Sequence, residues 1–403
     1  MVKGFKQTEI GLIPEDWEVK ELGEITSLQT NGFVGIAKIH YTESDGGVTY
    51  IQGFNVEENS FNYFGIKKVT KEFHQSHLRS SLKYKDLLTV QTGDVGLTTF
   101  VPEELEGANC HALIISRFNL EIIEPKYVSF YLNSYRGRTR LKEIETGTIM
   151  KHINVSDFQF FQIPLPPLPE QEAIASALSD ADEWIENLEQ LIAKKRLIKQ
   201  GAMQTLLTPK EDWEVKKLGE VCDVIGGGTP STFIPQYWNG EIIWFTPTEV
   251  GGSKYLYNSV RKLSASGLKN CSATILPVNT ILLTSRAGIG DLGITKVEAC
   301  TNQGFQSLVC KPNVNHEFVY YMMQTKKSDL LNNASGSTFL EISPNKVRSL
   351  SFPIPSLSEQ TRIAAILSDM DAEIEALEQQ LAKARQIKQG MMQELLTGRI
   401  RLV

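Results

Sequence analysis

Apolar residues recur along 170–208 in steps of four and three: Ile174, Leu178, Ala181, Ile185, Leu188 and Ile192. That 3.5-residue spacing predicts a long helix with a coiled-coil stripe. The same steps return in Ile363, Leu367, Met370, Ile374, Leu377, Leu381 and Ala384. Pro164, Pro166, Pro167 and Pro169 precede the first helix, and Pro353 and Pro355 precede the second. Proline ends a strand and sets a helix start. Pro209 and Gly398 follow the two helices as stop signals. An apolar stripe is unstable in water without a partner. Two equivalent helices of one chain, related by a repeat, are expected to cover each other by pairing antiparallel. At about 1.5 Å per residue each spans about 58 Å, a rod that would hold two globular heads apart.

Outside the helices the pattern changes to short apolar runs punctuated by glycine and aromatic residues. Lys85–Val90, Ala112–Ile115, Glu241–Phe245 and Thr280–Thr284 read as strands. Helical spacing appears near Lys126–Ile144 and His316–Asn332. The fold class expected is α+β, with two similar mixed α/β domains separated by two long helices that pair as an antiparallel coiled coil.

The chain also repeats itself. IPEDWEVKELGE (13–24) returns as PKEDWEVKKLGE (209–220), so Trp17 matches Trp213. PPLPEQEAIASALSDADEWIENLEQLIAKKRLIKQGAMQTLLT (166–208) returns as PSLSEQTRIAAILSDMDAEIEALEQQLAKARQIKQGMMQELLT (355–397). Two long matches in one order define a pseudo-twofold internal repeat. The predicted organisation is a first head (1–163, framing motif 13–24), a first helix (164–208), a second head (209–352, framing motif 209–220), and a second helix with a tail (353–403). Between the heads the similarity is faint. GTIMKHI (147–153) aligns with GSTFLEI (336–342), and GANCHALII (107–115) aligns loosely with CTNQGFQSL (300–308). One fold used twice with different surface residues is a device for reading two different things.

Composition adds limits. The 403 residues are 41% apolar and 22% charged, which is globular. No run of about 18 apolar residues crosses a membrane, and the first twenty residues lack a secretory signal's apolar stretch, so a cytoplasmic location is expected. Five cysteines without C-x-x-C spacing indicate reduced thiols rather than a disulfide framework or zinc site. The net charge of −6 argues against nonspecific coating of nucleic acid but allows a local basic face.

Motifs for chemistry fail on inspection. Gly288-Ile-Gly-Asp-Leu-Gly293 is followed by strand-like alternation, so a glycine-rich β turn fits better than a dinucleotide site. Gly226–Ser231 lacks the lysine of a phosphate loop. The six histidines are scattered and give acid–base catalysis no constellation. No catalytic residue, metal site or cofactor of its own is assigned to this chain.

Basic residues cluster instead. The first head carries Lys67, Lys68 and Lys83, and the second carries Arg261, Lys262 and Arg286. A run from Arg136 to Lys142 fits either a binding surface or the exposed face of a helix. Lysine and arginine neutralise phosphates, while arginine, asparagine and glutamine pair with base edges. The DNA-contacting candidates are Lys67, Lys68, Lys83, Gln91, Asn109, Lys151 and His152 in the first head. In the second they are Arg261, Lys262, Arg286, Asn302, Gln303 and Lys346. The helix-pairing or partner-docking candidates are Ile174, Leu178, Ile185, Leu188, Ile192, Ile363, Leu367, Ile374, Leu377 and Leu381. Trp17 and Trp213 fit either a docking surface or the junction between helix and head.

The whole order of framing motif, head, P-L-x-E-Q-x-x-I-A-x-x-L-S-D-x-D helix, and the same again resembles the specificity subunit of type I restriction–modification systems. The resemblance implies that each head is a target recognition domain binding one half of a split, asymmetric sequence in double-stranded DNA. It implies that helix length sets the gap between half-sites. It implies two adenine methyltransferase subunits as partners, with restriction subunits in the full complex. S-adenosylmethionine, ATP and magnesium are then expected on those partners, and no chemistry on this chain. The alternative is a two-headed protein–protein adaptor without sequence-specific DNA binding.

Overall fold

The computed structural model describes residues 4–148, 151–286, 288–336 and 340–402. Two compact units divide it, one formed by 1–189 and 379–403, the other by 190–378. Each long helix contributes to both units, the first running Leu168–Leu206 and the second Leu357–Leu395.

The first head has a four-stranded sheet of Thr26–Asn31, Leu113–Phe118, Leu87–Val90 and Thr98–Phe100, in that spatial order. Beside it lies a three-stranded sheet with Val48–Ile51 between Lys67–Val69 and Asn109–Cys110. Helices Pro125–Asn133 and Tyr135–Leu141 follow. The second head repeats this order. Cys222–Gly226, Gln306–Cys310, Ile281–Leu283 and Leu292–Thr295 make its larger sheet, extended by Tyr255–Leu256. Trp238–Phe245 lies between Arg261–Leu263 and Cys300–Thr301, and helices His316–Gln324 and Lys327–Asn332 follow. The strands and helices expected from sequence are all present, and Arg136–Lys142 is largely helix.

The repeated motifs have matching physical tasks. Glu18–Glu21 pairs antiparallel with Gln162–Leu165, and Glu214–Lys217 pairs with Ser351–Ile354, so each framing motif ties down the strand that precedes its long helix. The amide of Gln171 donates to Pro166 O and accepts from Glu124 N at 3.0 Å. Gln360 donates to Pro355 O and accepts from Asn315 N at 2.9 Å. Glu124 and Asn315 are the N-caps of the equivalent head helices. The glutamine of the repeat therefore locks each long helix onto its head.

The apolar stripe is divided between two uses. Ile174 and Leu178 are buried in the core of the first head, and Ile363 and Leu367 in the core of the second. These four pack on their own heads, in cores that also take in the far end of the other long helix, Leu395 and Leu396 with the first pair and Leu206 and Leu207 with the second. Farther along, Leu188, Ile192 and Ile374 are buried outside both of those cores, and Ile185, Leu377 and Leu381 are half-buried. Ion pairs fix the antiparallel direction. Within the first unit Lys388 meets Asp182 and Arg385 meets Glu189 at 2.6 Å. Within the second, Lys195 meets Glu373 and Arg196 meets Glu378, both at 2.6 Å. Trp17 and Trp213 are both buried at helix–head junctions, settling them as packing residues.

Candidate nucleic-acid interface

The three-stranded sheets of the two heads carry the same side-chain register. In the first, Lys67 pairs with Tyr50, Lys68 with Thr49 and Val69 with Val48. In the second, Arg261 pairs with Trp244, Lys262 with Ile243 and Leu263 with Ile242. Lys67 and Arg261 are exposed, Lys68 and Lys262 half-buried, and Val69 and Leu263 buried. Successive side chains of a strand point to opposite faces, so Lys67 shares a face with Val69 and Arg261 with Leu263, and burial deepens along each strand from its cationic end. Two heads that share little sequence thus present a cation pair at one equivalent edge. Arg261 also lies over the Trp238 ring, 3.5 Å from its centroid, which holds the guanidinium in place.

A second group forms where three segments meet. In the first head, Ile153 N donates to Gln91 O, Gln91 Nε2 donates to Ile153 O at 3.2 Å, and His152 bridges both Thr92 and Thr146. This places Gln91, Lys151 and His152 together, with Lys151 exposed and 3.7 Å from Glu145. In the second head, Ile342 N donates to Ser285 O, and Glu341 bridges both Arg286 and Ser335. Arg286 is paired with Glu341 at 2.8 Å. Ser285 N also donates to Gly304 O, and Asn302 Oδ1 accepts from Gly304 N, which brings Asn302 and Gln303 to the same place. Gln303 Oε1 accepts from Thr229 Oγ1 at 2.6 Å. The backbone pairing supports the alignment of 147–153 with 336–342 at its flanks. Ile149, Met150, Ser337, Thr338 and Phe339 of that alignment lie outside the described residues.

Two expectations need revision. Asn109 is fully buried, accepting from Ser80 Oγ at 2.7 Å and donating to His77 O at 3.0 Å, so its amide is committed to the head and unavailable to a base edge. The alignment of 107–115 with 300–308 slips by two. Asn109 and Cys110 pair with Tyr50 and Ile51 as Cys300 and Thr301 pair with Trp244 and Phe245. Lys83 and Lys346 stand on other elements: Lys83 in the exposed turn before Leu87–Val90, and Lys346 on helix Pro344–Arg348. Beside Tyr50, burial holds the His111 imidazole below its ordinary pKa, favouring the neutral ring that contacts Tyr50 Oη at 3.1 Å.

Among the described residues no cluster of three His, Cys, Asp or Glu side chains is placed to hold a metal ion. Nor is any helix of the described residues long and apolar enough to cross a membrane.

Fold and surface together define an internally duplicated α+β protein with one cationic edge per head. The residue pattern of the type I restriction modification DNA specificity domain matches twice, over 14–195 and 210–386. The chain belongs to that family, and its role is that of a non-catalytic specificity module. The MjaIX specificity subunit of a Methanocaldococcus jannaschii type I restriction enzyme is 43% identical over 169 residues, spanning 41% of this chain but 39% of that relative. The MjaVIII specificity subunit of the same organism is 24% identical over 99% of this chain and 96% of its own length. The crystal structure of a type I restriction–modification S subunit from M. genitalium shares the fold, with a TM-score of 0.62 and 16% identity over 98% of this chain and 99% of that one.

Proposed function

We propose that this chain is the DNA sequence-specificity subunit of a type I restriction–modification complex, each head reading one half of a split, asymmetric target. The observation that carries this is the matching register of Lys67–Lys68 and Arg261–Lys262 in two heads whose neighbouring loops differ. The shared cations serve phosphates, which are the same in every sequence, and the unlike loops serve bases. The long helices set the gap between half-sites and dock two adenine methyltransferase subunits, and restriction subunits complete the assembly in the cytoplasm. S-adenosylmethionine, ATP and magnesium act on those partners. The target adenine leaves the base stack to enter a methyltransferase site, since an active-site pocket cannot close around a base that is still stacked and paired.

The test is to co-express the chain with its methyltransferase subunit in a host free of adenine methylation and to map methylated adenines across the genome. One split, asymmetric motif with one modified adenine on each strand is the expected result. A stable complex that modifies nothing and binds no duplex overturns the proposal in favour of a protein-binding adaptor.

A further inference from the structure

Two loops in equivalent places lift large apolar side chains into solvent, Val34, Ile36 and Ile39 in the first head and Phe233 in the second, and of these Ile36 and Phe233 match when counted from the returning end. In the first head the loop leaves strand Thr26–Asn31 and is pinned where Phe33 N donates to Cys110 O at 2.8 Å. It returns through the turn Lys38–His40, where Thr70 N donates to His40 O and Tyr41 bridges Val69. In the second head the loop leaves Cys222–Gly226, and Gly228 N donates to Thr301 O at 2.9 Å. It returns through Pro235–Tyr237, where Ser264 N donates to Tyr237 O and Trp238 pairs with Leu263. Cys110 and Thr301 hold one register position, and Val69 and Leu263 another. Both loops are therefore anchored on equivalent residues at both ends, although the second is two residues longer.

Ile36 and Phe233 each stand two positions before the first residue of the returning turn. Ile36 is 77% exposed, and Phe233 is 94% exposed, the highest value of any large apolar side chain among the described residues. The loops have different sequences, NGFVGIAKIH against GGGTPSTFIPQY. A bulky apolar tip gives a free, water-facing loop no stability. Its recurrence at one position in two unlike loops points to a shared contact.

The surroundings identify that contact. Each loop returns alongside the strand that carries the cation pair, since Thr42 N donates to Lys68 O in the first head and Trp238 pairs with Leu263 in the second. Cations beside an exposed apolar tip suit a polyanion with an apolar interior, and a nucleic acid duplex has phosphates outside and stacked bases within. We propose that Ile36 and Phe233 are wedges that enter the base stack, one in each half-site, while the neighbouring cations hold the backbone. This rests on the DNA reading above and extends it. Apolar wedges unstack a base step and bend the duplex. An unstacked step also eases extrusion of an adenine for methylation. The aromatic Phe233 should disturb its half-site more than Ile36 disturbs the other.

The experiment uses the full chain in complex with its methyltransferase subunits, on the duplex defined by methylation mapping. Phe233→Ser, Phe233→Trp and Ile36→Ser are compared with the unaltered chain. Permanganate reactivity of thymines and 2-aminopurine fluorescence at each target adenine report unstacking. Phe233→Ser should lose the signal at its own half-site only and bind about tenfold more weakly, the scale of one base–aromatic stack. A mismatch placed at that step should restore most of the affinity, because the unstacking is already done, and Phe233→Trp should keep both signals. Thermal unfolding of the free chain should be unchanged, since the side chain is exposed. Unaltered reactivity and affinity in Phe233→Ser overturn the wedge while leaving the DNA reading intact. Failure of Phe233→Ser to assemble with the methyltransferase overturns it in favour of a protein contact. Absence of any methylated motif with the unaltered chain removes both readings.

Discussion

The Arg401 guanidinium closes on the Glu170 carboxylate, with Nε 2.6 Å from Oε1 and Nη2 2.7 Å from Oε2. It also reaches Asp16 at 2.9 and 3.0 Å, and Trp17 Nε1 donates to Glu170 at 3.0 Å. One arginine thus joins the first framing motif, the head of the first long helix and the tail. The second copy makes the same junction differently. There Glu359, the repeat partner of Glu170, is held by Lys210 at 3.0 Å. The Glu170 side chain is 1% exposed, against 23% for Glu359.

That difference in burial sets two unequal outcomes. Arg401→Ala leaves a buried carboxylate without its cation and should destabilise the chain by about 3 kcal/mol. Lys210→Ala removes an exposed pair and should cost less than about 1 kcal/mol. Arg401→Lys should recover only part of the loss, because one ammonium cannot present a fork to two carboxylates. Denaturant unfolding of the three variants orders them, and equal losses at both junctions would refute the role given to burial.

Glu359 also predicts an acid response. Its hydrogen bonds from Arg362, and then from Lys210, pull its pKa down to about 2. The folded value lies below the ordinary one of about 4.3. The unfolded chain therefore takes up this proton first as pH falls. The pair's contribution is complete above about pH 4.3 and fades as pH drops from there through about 2. Its size stays under about 1 kcal/mol because solvent screens the site. Carboxyl-carbon NMR should place the midpoint near 2, and Arg362→Ala should move it back toward the ordinary range.

The long helices, the repeat and the heads' strands were legible because each rests on a local signal: a 3.5-residue step, a repeated string, an apolar run between glycines. Lys67–Lys68 and Arg261–Lys262 were legible as charge clusters, but their equivalence was not, since it lies in strand register rather than in residue identity. Asn109 was misjudged because a buried amide and a base-reading amide look alike in sequence. Its neighbours Ser80 and His77 come from a turn about thirty residues earlier. Ile36 and Phe233 carried no signal beyond an apolar residue in a glycine-rich stretch. Their equivalence appears only when both loop ends are traced to their anchors. Arg401 was silent because its partners Asp16 and Glu170 are hundreds of residues away.

Gly201 and Gly390 sit at matching places inside the two long helices, and a Cβ built on either meets nothing within 4 Å. Glycine inside a helix is less stable than alanine by about 0.5–1 kcal/mol. Gly201→Ala and Gly390→Ala should each raise stability by about that amount, read from the shift in denaturation midpoint of the free chain. Co-purification with the methyltransferase is the companion measurement, and unchanged yield is expected. A stabilised chain that no longer assembles would place the partner's backbone against these bare positions.

The cation pairs should separate affinity from sequence preference. Removing one lysine or arginine from a phosphate lowers the slope of log affinity against log salt by about 0.9. Lys67→Ala with Lys68→Ala should therefore flatten the slope by about 2 and weaken binding to every duplex tested, with the methylated motif unchanged. Lys262→Ala should flatten it by about 1. Arg261→Gln is a cleaner partner substitution than alanine, since it keeps some packing on the Trp238 ring while removing the charge. The weakening in the Lys67 and Lys68 variant should persist whichever half-site is scrambled, because the phosphates are the same in every sequence. A change in the motif itself, rather than in overall affinity, would mean that these side chains read bases and that the phosphates are held elsewhere.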